Sequence, residues 1–384
     1  MRVYLDNAAT SWPKPEAVYA AVDRYQRVVG AAAGRSGYRE AGEAQRVVDA
    51  ARRGCAALLG VVDPSRLVFG ANGTDALNLA IHGLLRSGDH VVTTVCEHNS
   101  VLRPLAEAGR TRNVTVTYVG CDGAGYIDPH DIQRALTPRT RLVAITHASN
   151  VTGAIQPLEA IARVARTAQV TLLVDAAQSA GHVPLDIDAL EADLVATSGH
   201  KGLLGPLGTG VLYIRSGLEG LLKPTRQGGT GLNSTVDAQP DQLPERYEAG
   251  NLNTPALAGL AASTEFLAEQ TVDAIAEREL MLVARLWEGL SDIPGVRLYG
   301  PSDEQPRAAV VSFRVEGYDP QDFAAALDSS FGVQCRAGLH CAPRMHAALG
   351  TVAQGGLVRL SCGWATTAAE VDKALEAIAA IATA

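Results

Sequence analysis

The sequence predicts an α/β protein in which a large domain, built on a mainly parallel seven-stranded sheet, is followed by a smaller α+β domain. Three observations favour this fold. Short apolar runs recur through the first part of the chain, helical patterns separate several of them, and the pattern changes near residue 254. A chain of 384 residues also exceeds the size at which one hydrophobic core stops growing, so we expect two domains.

The predicted sheet rests on seven apolar runs that have the length and composition of buried strands. These runs are residues 66–69, 90–95, 114–119, 141–146, 170–175, 193–197 and 210–214. Apolar residues spaced three and four apart predict helices between some of them, at residues 72–85, 128–136 and 157–167. Strand–helix–strand units build parallel sheets, and such sheets bind ligands outside the carboxyl ends of their strands.

Beyond residue 254 the pattern indicates one long helix rich in alanine, leucine and glutamate, followed by a mixture of strands and helices. Strands are expected at residues 309–315, 333–336 and 357–361, and helices at 320–327, 343–349 and 367–382. We therefore expect a large domain of residues 15–255 and a small domain of residues 1–14 and 256–384. The segment 227–246 holds several glycines and prolines and few apolar residues, which predicts a loop.

The composition is that of a globular protein, with 47% hydrophobic and 19% charged residues. A formal net charge of −8 argues against a nucleic-acid partner, because nucleic-acid-binding proteins carry clustered positive charge. The six cysteines form no Cys-x-x-Cys pair, so we expect neither a disulfide framework nor a metal site. No apolar run of about 20 residues predicts a membrane span, and the N-terminus lacks a signal-peptide pattern, so a cytoplasmic location is expected.

A lysine, Lys201, follows the apolar strand predicted at 193–197 and is itself followed by a glycine-rich turn. A lone lysine in such a place is more often an exposed loop residue. The glycines also suggest a nucleotide-binding loop, but they come after the lysine rather than between a strand and a helix. Polar residues at the neighbouring strand ends favour a functional interpretation of Lys201.

Three further strand ends carry polar residues that a parallel sheet would bring to one edge. Asp175 ends one strand and Gln178 follows it, although the aspartate alone could simply cap a turn. A turn after another strand begins a helix at Gly73, where free backbone amides suit a phosphate, and an ordinary helix cap is the alternative. His98 follows a third strand, where its imidazole could stack on a planar ring or be structural.

Together these residues resemble, over nearly the whole chain, the class V aminotransferase family and, within it, the cysteine desulfurases and selenocysteine lyases. The resemblance lies in a series of motifs in the family's order: residues 4–10 (YLDNAAT), 149–153 (SNVTG), 175–178 (DAAQ), 198–201 (SGHK), 253–255 (NTP) and 336–342 (RAGLHCA). The series is specific, whereas one tetrapeptide would not be. The resemblance implies an enzyme dependent on pyridoxal 5'-phosphate, with the architecture known as fold type I.

The resemblance also implies a role for each matching residue. Lys201 would carry pyridoxal phosphate as a Schiff base, and His98 would stack on the cofactor and take part in catalysis. Asp175 would pair with the ring nitrogen and Gln178 would face the ring oxygen. The residues expected near the phosphate are Gly73, Thr74, Asp75, Ser198 and His200, together with Thr254, which would reach the phosphate of the neighbouring subunit in a homodimer.

Four residues are expected to bind the substrate, a small amino acid similar to cysteine: Asn150, Arg336, His340 and Arg359. By resemblance, Asn150 and Arg359 hold its carboxylate. A guanidinium suits this task because its fork matches both carboxylate oxygens. The alternative for Arg359, a surface arginine, is weakened by its apolar neighbours on the predicted strand.

Cys341 is the candidate nucleophile. Cysteine reacts as the thiolate, which a nearby cation or helix start favours, and Arg336, His340 and a helix predicted from Pro343 lie close in the sequence. A lone cysteine would more often be inert. In the implied reaction, Lys201 removes the substrate's α-proton and Cys341 attacks its sulfur. The products would be alanine and a persulfide, which a sulfur-acceptor protein or a small thiol would discharge.

Departures from the family pattern keep other functions open. Leu339 and Tyr38 stand where related desulfurases have histidines, which suggests a substrate other than plain cysteine, and Cys362 and Trp364 have no interpretation. The alternatives within the family are a selenocysteine lyase, a carbon–sulfur lyase and a true aminotransferase. An alternative of another class is a non-catalytic scaffold of the same fold, which the presence of every expected cofactor ligand disfavours.

Overall fold

The computed structural model describes residues 2–34, 37–232, 235–302 and 305–383. Residues 233 and 234 of the predicted loop 227–246 therefore lie outside the described residues. The strands are β1 (Val3–Tyr4), β2 (Leu67–Gly70), β3 (His90–Thr94), β4 (Thr115–Val119), β5 (Thr140–Thr146), β6 (Thr171–Asp175), β7 (Leu194–Ser198), β8 (Gly210–Ile214), β9 (Val296–Tyr299), β10 (Val310–Val315), β11 (Val333–Gln334), β12 (Arg336–Gly338) and β13 (Leu357–Ser361). The helices are α1 (Glu16–Arg24), α2 (Arg39–Leu58), α3 (Gly73–Leu84), α4 (Asn99–Arg112), α5 (Pro129–Ala135), α6 (Leu158–Thr167), α7 (Ile187–Leu190), α8 (Thr254–Gln270), α9 (Val272–Ser291), α10 (Pro320–Ala326), α11 (Pro343–Ala348) and α12 (Ala368–Ala382).

The central sheet has seven strands in the order β2-β8-β7-β6-β5-β3-β4. Every predicted strand of this sheet is confirmed, with bounds within one residue of those expected. The sheet is parallel except at β8, which runs antiparallel to both of its neighbours, β2 and β7. The carboxyl ends of β3, β5, β6 and β7 therefore meet at one edge, where the predicted site residues lie.

Helices cover both faces of the central sheet, which explains why its strands are apolar throughout. Neighbouring side chains on one strand enter opposite cores: Val91 packs with α3 and α4, whereas Val92 packs on the face that α2, α5 and α6 cover. Leu142 and Val143 alternate in the same way. A strand buried on both faces reads as a continuous apolar run.

A second sheet, antiparallel and in the order β12-β13-β10-β9, forms a separate core with α9, α10 and α12. The single strand predicted at residues 333–336 is wrong. The chain divides at Cys335, so that β11 pairs in parallel with the N-terminal strand β1 while β12 pairs with β13. The N-terminal segment thus joins the C-terminal part of the chain, and the division into two domains at about residue 255 stays a prediction.

The single long helix predicted from residue 254 is also wrong, because the chain breaks at Thr271. Thr271 has a positive φ of 61°, which ends α8, and its side-chain oxygen accepts a hydrogen bond of 3.2 Å from the Ala274 amide at the start of α9. The helix α8 packs against α1 and α2, whereas α9 packs against β9 and α12. The break lets these two helices pack against different parts of the protein.

All six cysteines are free thiols. Among the described residues, none of the helices combines the length and the apolar character needed to cross a bilayer. The same part of the chain holds no group of three or more histidine, cysteine, aspartate or glutamate side chains arranged to bind a metal ion.

Candidate active site

The predicted site residues surround a cleft of about 460 Å³ at the carboxyl edge of the central sheet. Ten of them line it: Gly73, Thr74, His98, Asn150, Asp175, Gln178, Ser198, His200, Lys201 and Arg336. They come from the turns after several strands and from the start of β12. Parallel strands gather residues from distant parts of a sequence at one edge in this way.

Lys201 lies in the tight turn that follows β7. Gly202 permits this turn, because a Cβ there would lie 2.3 Å from the Ala180 carbonyl oxygen and 2.4 Å from the His182 ring. Burial lowers the pKa of the Lys201 amine to about 8, an effect that Asp175 opposes and two nearby arginines reinforce. A useful fraction of the amine is therefore neutral, and nucleophilic, near neutral pH.

Asp175 and Gln178 lie on the turn that follows β6. The Asp175 carboxylate is 5% exposed and accepts a 3.0 Å hydrogen bond from the Ala177 amide. Burial raises its pKa, and the positive charge of Lys201 acts in the opposite sense. Gln178 donates its side-chain amide to the Ala8 carbonyl at 2.9 Å, which holds the N-terminal segment against the cleft.

Hydroxyl groups and a helix start form a polar cradle on one side of the cleft. The Gly73 amide donates to the Ser198 hydroxyl at 3.0 Å, and a Cβ on Gly73 would lie 2.6 Å from that oxygen. The Thr74 and Ser100 hydroxyls share a hydrogen bond of 2.7 Å. Because Asn72 caps α3, the first amides and the dipole of this helix face the cradle, and this arrangement suits an anion.

Two histidines of the cleft are held neutral. Burial, with Lys201 as the second cause, lowers the pKa of His98 to about 4, and the same two causes lower that of His200 to about 4. His98 caps α4, since its Nδ1 accepts a 3.0 Å hydrogen bond from the Ser100 amide. The Nδ1 atom of His200 is buried and has no hydrogen-bond partner within the described residues. The cleft thus contains a neutral ring and an unsatisfied polar atom.

Cys341 lies on a strained loop beside the cleft. His340 and Cys341 have positive φ angles of 48° and 59°, an uncommon conformation outside glycine. The loop is held by the Asn150 side-chain amide, which donates to the His340 carbonyl at 2.6 Å, and by the Asn99 amide, which donates to the Cys341 carbonyl at 2.7 Å. The Cys341 sulfur lies 3.0 Å from Nη2 of Arg336, so a guanidinium lies directly beside the thiol.

Arg359 and His340 lie behind the cleft rather than in its lining. Arg359 is fully buried, so the alternative of a surface arginine is excluded. Its guanidinium pairs with Asp6 at 2.6 Å and donates to the Asn150 carbonyl at 3.0 Å, while its Nε has no partner among the residues described. His340 is 2% exposed, and its Nδ1 lies 3.3 Å from Nε2 of His346.

Two other predicted residues lie outside the lining. The Asp75 carboxylate accepts hydrogen bonds from the Ala71 amide at 2.9 Å and from Arg226 at 3.0 Å, so it braces the turn before α3. Thr254 is 4% exposed in the single chain, and its hydroxyl donates to the Leu252 carbonyl at 3.3 Å. Its contact with a neighbouring subunit stays a prediction.

The residues that depart from the family pattern occupy different environments. Tyr38 and Leu339 are 52% and 36% exposed, and residues 35 and 36, which shortly precede Tyr38 in the sequence, lie outside the described residues. Cys362 is buried in the core of the second sheet. The Trp364 indole donates to the Pro13 carbonyl at 2.7 Å, which explains it as a contact between the C-terminal part and the N-terminal segment.

The sequence interpretation missed several residues of the site. The unpredicted lining residues are Ala8, Ala9, Ala71, Asn72, Leu77, Ser100, Thr146, Ala177, Leu207 and Gly208. Several of them had a signal that was not used: Ala8, Ala9 and Ala177 lie within the motifs of residues 4–10 and 175–178, Asn72 begins a predicted helix, and Ser100 follows His98 at a predicted strand end. Glu97 was also missed: it is fully buried, and burial raises its pKa to about 8. Its carboxyl is therefore largely neutral near pH 7, which avoids a second negative charge near Asp175.

Comparisons with known proteins agree with this geometry. The family model described as Aminotransferase class-V matches residues 3–374. A probable cysteine desulfurase from Methanothermobacter thermautotrophicus is 37% identical over 385 residues, which cover 99% of this chain and 94% of that protein. A probable cysteine desulfurase from Synechocystis is 33% identical over 388 residues, covering 98% of this chain and 90% of that protein.

Solved structures agree over the same length. The apo structure of a cysteine desulfurase from Thermococcus onnurineus matches with a TM-score of 0.92 at 34% identity, covering 100% of this chain and 95% of that one. The cysteine desulfurase CsdA from Escherichia coli matches with a TM-score of 0.89 at 30% identity, covering 100% and 94%. These similarities confirm the predicted fold type I architecture. With the family model spanning nearly all of its length, the chain belongs to the class V aminotransferase family.

Proposed function

We propose that this chain is a pyridoxal phosphate-dependent cysteine desulfurase, which removes sulfur from L-cysteine, releases alanine and leaves a persulfide on Cys341. One observation carries the proposal: the Cys341 sulfur lies 3.0 Å from Arg336, which lines the same cleft as Lys201. The Lys201 amine therefore lines the same cleft as Arg336, the cation that the Cys341 thiol contacts. The names of the similar proteins support the same reaction.

The cleft residues fit pyridoxal phosphate. The cradle of Gly73, Thr74 and Ser198 suits a phosphate, and the unsatisfied Nδ1 of His200 offers a further polar contact. The neutral ring of His98 suits stacking on an aromatic ring, and the buried carboxyl of Asp175 suits a ring nitrogen that carries a proton. When bound, the cofactor supplies a ring that accepts the electrons released at the substrate's α-carbon.

Within this function, Lys201 accepts a proton from the substrate and Asp175 stabilises a protonated group of the cofactor. The Nζ atom of Lys201 takes the proton from the substrate's α-carbon, which its lowered pKa of about 8 permits near neutral pH. The charge of Asp175 would stabilise the protonated nitrogen of the cofactor ring. Asp175 is buried, and such a pair is stronger in a buried environment than in water. Asn150, which lines the cleft, and Arg359, which lies behind it and donates to the Asn150 carbonyl, orient the substrate carboxylate.

Cys341 carries out the sulfur transfer. Its thiolate attacks the substrate's sulfur, the carbon–sulfur bond breaks, and the carbon that carried the sulfur gains a proton to become the methyl group of alanine. Arg336, with Nη2 at 3.0 Å from the Cys341 sulfur, positions this side chain for the attack. The persulfide is then discharged by a sulfur acceptor, either a protein or a small thiol. We further propose a homodimer in which Thr254 reaches the partner's phosphate site, and a cytoplasmic location.

The pKa of Lys201 predicts how attachment of the cofactor depends on pH. Only the neutral amine attacks an aldehyde, so the rate at which the apo protein takes up pyridoxal phosphate should rise with pH and level off above about 8. Stopped-flow absorbance measures this rate. In the control variant Lys201→Ala, any remaining uptake measures the reaction of the cofactor with the other lysines. A rate that keeps rising to pH 10 without an inflection would contradict the lowered pKa.

Product analysis tests the proposed function. Purified holoenzyme is incubated with cysteine, cystine and selenocysteine, and each organic product is identified by mass. A desulfurase forms alanine from cysteine. Alanine formed from selenocysteine but not from cysteine would identify a selenocysteine lyase. Pyruvate with ammonia would identify a carbon–sulfur lyase, and conversion of the cofactor to its amine form would identify an aminotransferase. Protein that gains no yellow absorbance with added cofactor would favour a non-catalytic scaffold.

A further inference from the structure

Two cysteines lie side by side at the carboxyl ends of neighbouring strands. In the register of β3 and β4, Thr94 faces Val119, and Cys96 and Cys121 each lie two residues beyond this pair. The Val95 amide donates to the Val119 carbonyl at 2.9 Å, so the pairing of the two segments extends one residue beyond β3, to the position before Cys96. Neighbouring strands are about 4.8 Å apart, within the Cα separation of about 4.4–6.8 Å that a disulfide requires.

The two thiols differ in exposure and in acidity. Cys96 is 1% exposed, with its sulfur 3.6 Å from the Gly125 carbonyl oxygen, whereas Cys121 is partly exposed and its sulfur lies 3.9 Å from the sulfur of Met345. The proximity of the two thiols lowers the pKa of Cys121 and, together with burial, raises that of Cys96. The accessible thiol is therefore the more reactive one, and the buried thiol is its immediate neighbour.

We propose that Cys96 and Cys121 form a redox-active dithiol that a hydroperoxide converts to a disulfide. The Cys121 thiolate attacks the peroxide O–O bond, so the sulfur is oxidised to a sulfenic acid and the peroxide, with one proton, leaves as an alcohol or water. The Cys96 sulfur then attacks the Cys121 sulfur. The S–S bond forms, the S–O bond breaks, and the hydroxyl leaves with the Cys96 proton as water. A dithiol reductant reverses the modification.

This disulfide would lie next to the proposed active site but does not depend on its function. Cys96 precedes His98 by two residues, so the bond would tie the segment that carries the His98 ring to the end of β4. The chemistry needs only the two thiols and a peroxide. A failure of the proposed desulfurase reaction would therefore leave this inference unaffected, and the reverse also holds.

Peptide mapping of the holoenzyme tests the inference. The protein is treated with hydrogen peroxide, alkylated and digested with trypsin, which separates the two cysteines because Arg110 and Arg112 lie between them. The expected product is the Cys96 peptide joined to the Cys121 peptide, with a mass two hydrogens below the sum of the two peptides. This product should disappear after treatment with dithiothreitol. Recovery of both cysteines fully alkylated, or a link from either of them to a different cysteine, would overturn the proposal.

Single variants assign the two roles. Cys96→Ser should leave Cys121 as a sulfenic acid that dimedone traps, and Cys121→Ser should yield neither a disulfide nor an adduct on Cys96. Cys335→Ser is the matched control, since burial raises the pKa of that thiol to about 12, and it should form the linked peptide as the unmodified chain does. Oxidation of Cys96 in Cys121→Ser would contradict the order of attack. If a variant does not fold, the map of the unmodified chain decides.

Discussion

Replacing Lys201 with alanine is expected to lower the rate of alanine formation from cysteine by about 10²–10⁴-fold, the range for loss of a positioned acid or base. Lys201 has the amine that the cleft surrounds, and the lowered pKa of about 8 lets it accept a proton near neutral pH. Steady-state assays of alanine at saturating pyridoxal phosphate measure the effect. Adding a small primary amine should restore part of the lost rate, because it supplies a base in the vacated space.

Lys223→Ala is the matched control for this variant. Lys223 is exposed and does not line the cleft, so its replacement should leave the rate unchanged. A rate in Lys201→Ala within about threefold of the unmodified chain, well below the range for a catalytic base, would contradict the assignment. Retention of the phosphate cradle in Lys201→Ala can be checked separately, by measuring binding of pyridoxal phosphate through the quenching of tryptophan fluorescence.

Replacing Cys341 with alanine is expected to lower sulfur transfer from cysteine by about 10³-fold or more, because the nucleophile of the reaction is removed. The thiol lies 3.0 Å from Arg336 on a loop that Asn150 and Asn99 hold by hydrogen bonds. Sulfide release with a reductant and radioactive sulfur bound to the protein both measure the loss. The yellow absorbance of the bound cofactor should persist, since Cys341 is not part of the phosphate cradle.

The control for this variant is Cys335→Ala, which removes a thiol from the same segment. Burial raises the pKa of Cys335 to about 12, so that thiol is inert and its removal should leave sulfur transfer intact. If Cys341→Ala still desulfurates cysteine at the original rate, Cys341 is not the nucleophile.

The strands of the central sheet could be predicted because burial on both faces leaves a continuous apolar run. Their directions could not, since the antiparallel strand β8 has the same composition as its parallel neighbours. The edge strand β9 carries alternating polar and apolar residues and was missed. The break at Thr271 was also hidden, because a single residue of positive φ leaves no trace in helical periodicity.

The strand-end residues of the site could be predicted because a parallel sheet gathers them at one edge. Contacts between distant segments could not be predicted. Asp6 pairs with Arg359 across 353 positions of the sequence, and Ala8 accepts from Gln178 across 170. Nothing in the pattern near Arg359 indicated that its guanidinium would pair with Asp6 behind the cleft lining. The cradle role of Ser100 depends on the hydroxyl contact with Thr74, which only the folded chain creates.

Borohydride reduction of the holoenzyme tests the central claim most directly. The reagent fixes pyridoxal phosphate to the lysine that holds it, and the sequence has four lysines: Lys14, Lys201, Lys223 and Lys373. Lys14 is the sharpest alternative, because burial lowers its pKa to about 8 as well and its amine lies 2.9 Å from the His200 carbonyl oxygen. The label should be found on the peptide that contains Lys201. A label on the Lys14 peptide, or none, would contradict the account.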